Sequence, residues 1–138
     1  ACDIQSTVTV FPPNVEFHQE DVFQRSEAFE RQLAETGPFH VVMSDMAPQT
    51  TGTKFTDQAR SLELCLEALA VAEKYLVKGG SFVVKIFMGP DVGELLKGMR
   101  PRFARVTSFK PQSSRVESKE TFFVGLGFKG KEADGARD

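Results

Sequence analysis

The chain has 138 residues, is 41% hydrophobic and carries a formal net charge of −2, which fits one globular domain near the lower end of comfortable core size. No apolar run approaches the roughly 18 residues that span a bilayer, and Ala1-Cys2-Asp3-Ile4 lacks the basic and apolar regions of a secretory signal, so a soluble, cytoplasmic protein is expected. Cys2 and Cys65 form neither a CxxC pair nor a disulfide framework and read as buried free thiols.

Residues 15–20 alternate in polarity and Phe39–Ser44 is an apolar run ending at Asp45, so both read as strands, the second largely buried. Between them the sequence predicts a helix starting near Ser26, a good N-cap, and stopping at Gly37-Pro38. A Pro/Gly/Thr-rich loop from Met46 to Thr56 leads to a long helix from about Asp57, with Leu62, Leu66, Leu69 and Leu76 at helical spacing and Gly79-Gly80 as its stop. Residues Ser81 to Phe87 read as a continuous strand. Asp91 caps a helix to about Arg100, and Arg105–Phe109 and Thr121–Phe128 close the chain as strands. The charged, Gly-containing stretch 131–138 reads as a flexible tail after a domain spanning 1–130.

Strands alternating with helices imply an α/β fold, a mostly parallel sheet with helices on both faces. Ligands of such sheets sit beyond the carboxyl ends of the strands. Polar residues at those ends are Asp21, Asp45 and, within its strand, Lys85, and the three are expected to converge. A lysine inside Phe82-Val-Val-Lys-Ile-Phe87 either snorkels to the strand end or is held by carboxylates. Asp45 reads equally as a turn-forming residue. His18 and His40 lie in different elements without ligand spacing, so no metal is expected. Charge is uneven: residues 1–50 hold two Lys/Arg against eight Asp/Glu, whereas residues 97–131 hold nine against two. The basic end interleaves with Phe103, Phe109, Phe122 and Phe123, which suits a polyanion partner or, equally, a solvated face.

Three motifs, Val42-Met-Ser-Asp-Met-Ala-Pro48, Ser81-Phe-Val-Val-Lys-Ile-Phe87 and Lys110-Pro-Gln-Ser-Ser-Arg-Val-Glu-Ser-Lys-Glu120, together resemble the FtsJ/RrmJ family of large-subunit ribosomal RNA methyltransferases. The resemblance runs from Ala1 to about Gly130. It implies a Rossmann-like class I methyltransferase sheet that uses S-adenosyl-L-methionine to methylate a ribose 2′-hydroxyl of RNA, a uridine of 23S rRNA. Of the family's Lys-Asp-Lys-Glu tetrad, the last three members match Asp45, Lys85 and Glu120, and the first lysine has no match. The same resemblance implies cofactor contacts from Asp3 to the ribose, Asp21 to the adenine amine and Asp45, and RNA contacts from Lys110, Arg115 and Lys119, with Arg100, Arg102 and Arg105 nearby.

The sequence departs from that family in lacking its first strand and glycine-rich loop. That strand lies centrally in the family's sheet, so its removal leaves unpaired backbone groups on two strands. The expectation is that about 60–80 residues precede this sequence in its parent protein. A transfer-RNA 2′-O-methyltransferase shares the Lys-Pro-x-Ser-Ser-Arg loop and is the close alternative. An inactive RNA-binding or ribosome-assembly module is the alternative from another class.

Overall fold

The computed structural model describes residues 1–48, 51–110 and 120–130. The chain divides into two compact units, Ala1–Gly37 and Pro38–Asp138.

The first unit contains strands β1 (Cys2–Asp3) and β2 (His18–Gln19) and helix α1 (Glu27–Thr36). β1 and β2 pair in parallel, with Cys2 opposite His18 and Asp3 opposite Gln19. The second strand is thus much shorter than the alternation over 15–20 suggests, although Ala1 extends the contact through its backbone nitrogen, which donates to Glu16 O at 2.8 Å. α1 starts where expected: Ser26 Oγ accepts from Phe29 N at 3.1 Å. The Glu20 carboxylate in turn accepts from Ser26 N at 2.8 Å and from Ser26 Oγ at 3.1 Å, fixing the entry to the helix. Cys2 is exposed rather than buried, because a two-residue strand offers too little cover.

The second unit is a four-stranded mixed sheet in the order β3-β4-β6-β5, made of β3 (Phe39–Ser44), β4 (Leu76–Phe87), β5 (Phe103–Phe109) and β6 (Glu120–Phe128). β3 and β4 run parallel, while β6 is antiparallel to both β4 and β5. Helices α2 (Lys54–Tyr75) and α3 (Val92–Met99) follow β3 and β4. α2 begins three residues before the expected Asp57, because Thr53 takes the N-cap position. It ends at Tyr75, well before Gly79-Gly80. Leu76 is already extended, and the glycines fall inside the strand, where Gly79 adopts φ 88. The leucine periodicity therefore runs through the helix end into the strand.

One core cluster joins α2, α3 and one face of the sheet, with Cys65, Leu69, Ala72, Leu95, Met99, Phe82, Val84, Ile86, Phe103, Phe123 and Phe128 buried together. Alternate residues of a strand point to opposite faces, so Phe82, Val84 and Ile86 share the buried face. Gly125 is required by this packing, since a Cβ there would stand 2.7 Å from the Phe103 ring. β3 is only half covered: Val42 packs on the core, while Val41 and Met43 are 51% and 72% exposed. The run is apolar on both faces, but among the described residues a helix layer covers only one of them. Among the described residues β3 pairs only with β4, and β1 only with β2.

Candidate active site

β4 outlasts its parallel neighbour. The last β3–β4 register pair is Ser44 with Val84, and β4 continues through Lys85, Ile86 and Phe87. On its other side β6 pairs to the end, placing Lys85 opposite Phe122 and Phe87 opposite Glu120. Residues directly opposite in an antiparallel pair share a face, so Lys85, Phe87, Glu120 and Phe122 form one square on the face away from the core. Across its diagonal, Lys85 Nζ lies 3.7 Å from Glu120 Oε2, with the lysine side chain 17% exposed. Lys85 is therefore held by a carboxylate within reach of solvent.

Among the described residues the far flank of this extension has no strand partner, and α2 supplies hydrogen-bonding groups there instead. Backbone groups left unpaired inside a protein are costly. Gln58, Ser61 and Cys65, spaced to share one helix face, satisfy three of them. Cys65 Sγ donates to Lys85 O at 3.1 Å, Ser61 Oγ accepts from Phe87 N at 3.1 Å, and Gln58 Nε2 donates to Met88 O at 2.8 Å. Gly89 allows the last contact, since a Cβ would meet the Gln58 amide at 2.5 Å. Burial pushes the Cys65 thiol up to about 12, so it acts as a donor and not as a nucleophile. The polar interruption Gln58, Ser61, Cys65 on a leucine-rich helix is the sequence signal that marks this support.

Asp45 follows β3 by one residue and is exposed. Among the described residues it makes no ion pair with Lys85, whose carboxylate partner is Glu120. The end of the following loop is tied to α2: Asp57 Oδ1 accepts from Thr51 N at 2.9 Å and from Thr51 Oγ1 at 2.8 Å. The Thr51 amide, with smaller help from the Thr51 hydroxyl and the Gly52 amide, holds the Asp57 carboxyl below its ordinary range. A cleft of about 280 Å³ opens there, lined by Gly52, Lys54, Asp57, Gln58 and Phe87.

In the first unit, Asp3 and Asp21 stand at the carboxyl ends of adjacent parallel strands. Asp3 Oδ1 accepts from Gln5 N at 3.0 Å and Asp21 Oδ1 from Phe23 N at 2.9 Å, so each carboxylate is oriented by its own turn. His18 packs against Phe29 with ring centroids 5.0 Å apart. Among the described residues no group of three His, Cys, Asp or Glu is placed to hold a metal ion.

The basic residues divide into two kinds. Arg102 is a structural tie: it pairs with Glu73 of α2 and donates to Gly98 O at 2.7 Å. Arg100, Arg105 and Lys110 are exposed. Arg115, Lys119 and the tail 131–138 lie outside the described residues.

This arrangement can be set beside known proteins. The model of the FtsJ-like methyltransferase family matches residues 1–128. The chain belongs to the FtsJ-like methyltransferase family. Over all 138 residues it is 72% identical to the ribosomal RNA large subunit methyltransferase E of Nitratidesulfovibrio vulgaris (Miyazaki F), covering 67% of that protein. It is 65% identical over 129 residues to the protein of the same name from Lawsonia intracellularis, covering 94% of this chain and 64% of that one. The chain thus spans about two thirds of the length of these curated relatives. The fold matches a Plasmodium falciparum protein described as a ribosomal RNA methyltransferase, with TM-score 0.78 at 24% identity, over 94% of this chain and 71% of that one. A Streptococcus mutans methyltransferase solved in complex with SAH matches with TM-score 0.55 at 14% identity, over 93% and 70%. The Rossmann-like methyltransferase architecture expected from the three motifs is therefore the one found, as a mixed sheet.

Proposed function

We propose that this chain forms the catalytic part of a cytoplasmic enzyme that methylates a ribose 2′-hydroxyl of RNA, a uridine of large-subunit rRNA, using S-adenosyl-L-methionine. The observation that supports it most is the Lys85–Glu120 pair at the carboxyl end of β4, 3.7 Å apart and partly open to solvent, in a chain of this family. An exposed carboxylate, Asp45, ends the neighbouring strand.

The residues present suit the adenosine portion of the cofactor, since Asp3 and Asp21 are two carboxylates oriented at adjacent strand ends. In this reading Asp3 takes the ribose hydroxyls, Asp21 the adenine amine, and Asp45 serves both cofactor and substrate. When bound, the cofactor supplies an electrophilic sulfonium methyl. The chain's own residues mainly position. Lys85 hydrogen-bonds the attacking 2′-oxygen and steers its proton, Glu120 orients the ammonium, and α2 fixes the Lys85 backbone. Lys110, Arg115 and Lys119, with Arg100 and Arg105, bind the RNA backbone.

The test is transfer of labelled methyl by the full-length protein to unmodified large ribosomal subunits and, separately, to transfer RNA. Label recovered as 2′-O-methyluridine from large subunits is the expected result. Label on transfer RNA alone would reassign the substrate, and transfer to neither would overturn the enzymatic reading.

A further inference from the structure

Resting on that reading of the function, we infer that the cleft beside Phe87 is a subsite for a nucleotide of the RNA adjoining the one that is methylated, its base stacked on Phe87 and its phosphate held by Lys54. Phe87 is two residues beyond Lys85 on the same face and directly opposite Glu120. Phe87 is partly exposed and lines the cleft with Gly52, Lys54, Asp57 and Gln58. A cavity for a drug-sized ligand measures about 300–1,000 Å³, so about 280 Å³ suits one nucleobase. The nucleotide whose ribose meets Lys85 has its neighbour one backbone step away, the distance that separates positions 85 and 87 on the strand.

Charge selects the ligand. Asp57, the only acid among the described residues that line the cleft, has its Oδ1 taken by the Thr51 amide and hydroxyl, so its charge is met by fixed dipoles. Lys54 is exposed at the first position of α2, makes no ion pair among the described residues and places a cation at the rim of the cleft. An aromatic residue and a cation lining one cleft are the pairing that proteins use for single-stranded RNA, base on aromatic and phosphate on cation. The cleft lies at the end of β4, the strand that carries Lys85, so a base seated there sets which ribose reaches the lysine.

The test uses the full-length protein, unmodified large-subunit RNA as the probe, and three variants. Phe87→Leu is expected to raise the RNA dissociation constant and KM by about fivefold or more, the range for losing one base–aromatic stack, with single-turnover rate at saturating RNA within about twofold. Phe87→Tyr keeps the ring and restores affinity to within about twofold. Lys54→Ala, at an exposed position that leaves folding intact, lowers the logarithmic salt slope of RNA binding by about 0.7. S-adenosyl-L-methionine affinity is expected to stay unchanged in all three. RNA affinity within twofold of wild type in both Phe87→Leu and Lys54→Ala overturns the subsite, as does a loss that appears in cofactor affinity instead. RNA binding is read without turnover, so absence of methylation by the wild type would overturn the proposed reaction while these affinities still decide the subsite.

Discussion

The two faces of β4 do different work with the same backbone. On one, Phe82, Val84 and Ile86 are 0%, 0% and 1% exposed under α2 and α3. On the other, Lys85 and Phe87 stand opposite Phe122 and Glu120, partly open, beside a β3 whose Val41 and Met43 are exposed. Rigidity and chemistry are divided by strand parity. Packing on the core face, with the α2 hydrogen bonds to Lys85 O and Phe87 N, holds the main chain, so the side chains on the open face need little support of their own.

The largest expected effect lies on the buried face. Phe82→Ala removes a fully buried ring stacked 6.1 Å from Phe103 and is expected to destabilise the fold by about 3–5 kcal/mol, measured by denaturant unfolding. A loss below about 1 kcal/mol would mean the core is not where stability resides. Between the faces, Ser61→Ala strips the acceptor from the buried Phe87 amide and is expected to cost about 1–3 kcal/mol. It should also slow methyl transfer several-fold, because the strand end that carries Lys85 loosens. Unchanged turnover alongside lost stability would reduce the α2 contacts to structure alone. The smallest effect belongs to the open face, where Met43→Thr is expected to change stability by no more than about 0.5 kcal/mol. A larger drop would show that this face is packed after all.

Much of this division was legible in the sequence. β3 is found over the expected Phe39–Ser44, Ser26 caps α1, and Lys85 stands at a strand end as a lysine in an apolar run must. Periodicity failed where it does not change sign between elements. Leu76 continues the helical leucine spacing yet opens β4, since a register of apolar residues does not reveal where the backbone straightens. The apolar run of β3 predicted burial on both faces, but burial needs a covering layer, and strand composition is silent on whether one is present. The support of Lys85 left its mark on α2 and none on β4. Gln58, Ser61 and Cys65 bond to main-chain atoms, and such partners leave no residue-type signature on the strand they hold. Asp45 illustrates the converse: its place after β3 was readable, whereas the absence of an ion pair to Lys85 depended on side-chain geometry.

The division of labour is tested most directly by Lys85→Ala in the full-length protein, with single-turnover methyl transfer, cofactor titration and thermal unfolding read on the same preparation. The lysine sits on the open face, bonded to the fold through its backbone and to Glu120 through its ammonium. The account predicts loss of at least about two orders of magnitude in methyl transfer, the scale of a positioned proton-transfer group. Cofactor affinity should stay within a few-fold and stability within about 2 kcal/mol, since the lysine is mostly covered but its partner Glu120 stays solvated. Transfer retained above about a tenth of wild type, or unfolding that accounts for the loss, would contradict it, because Lys85 would then belong to the scaffold and not to the reaction.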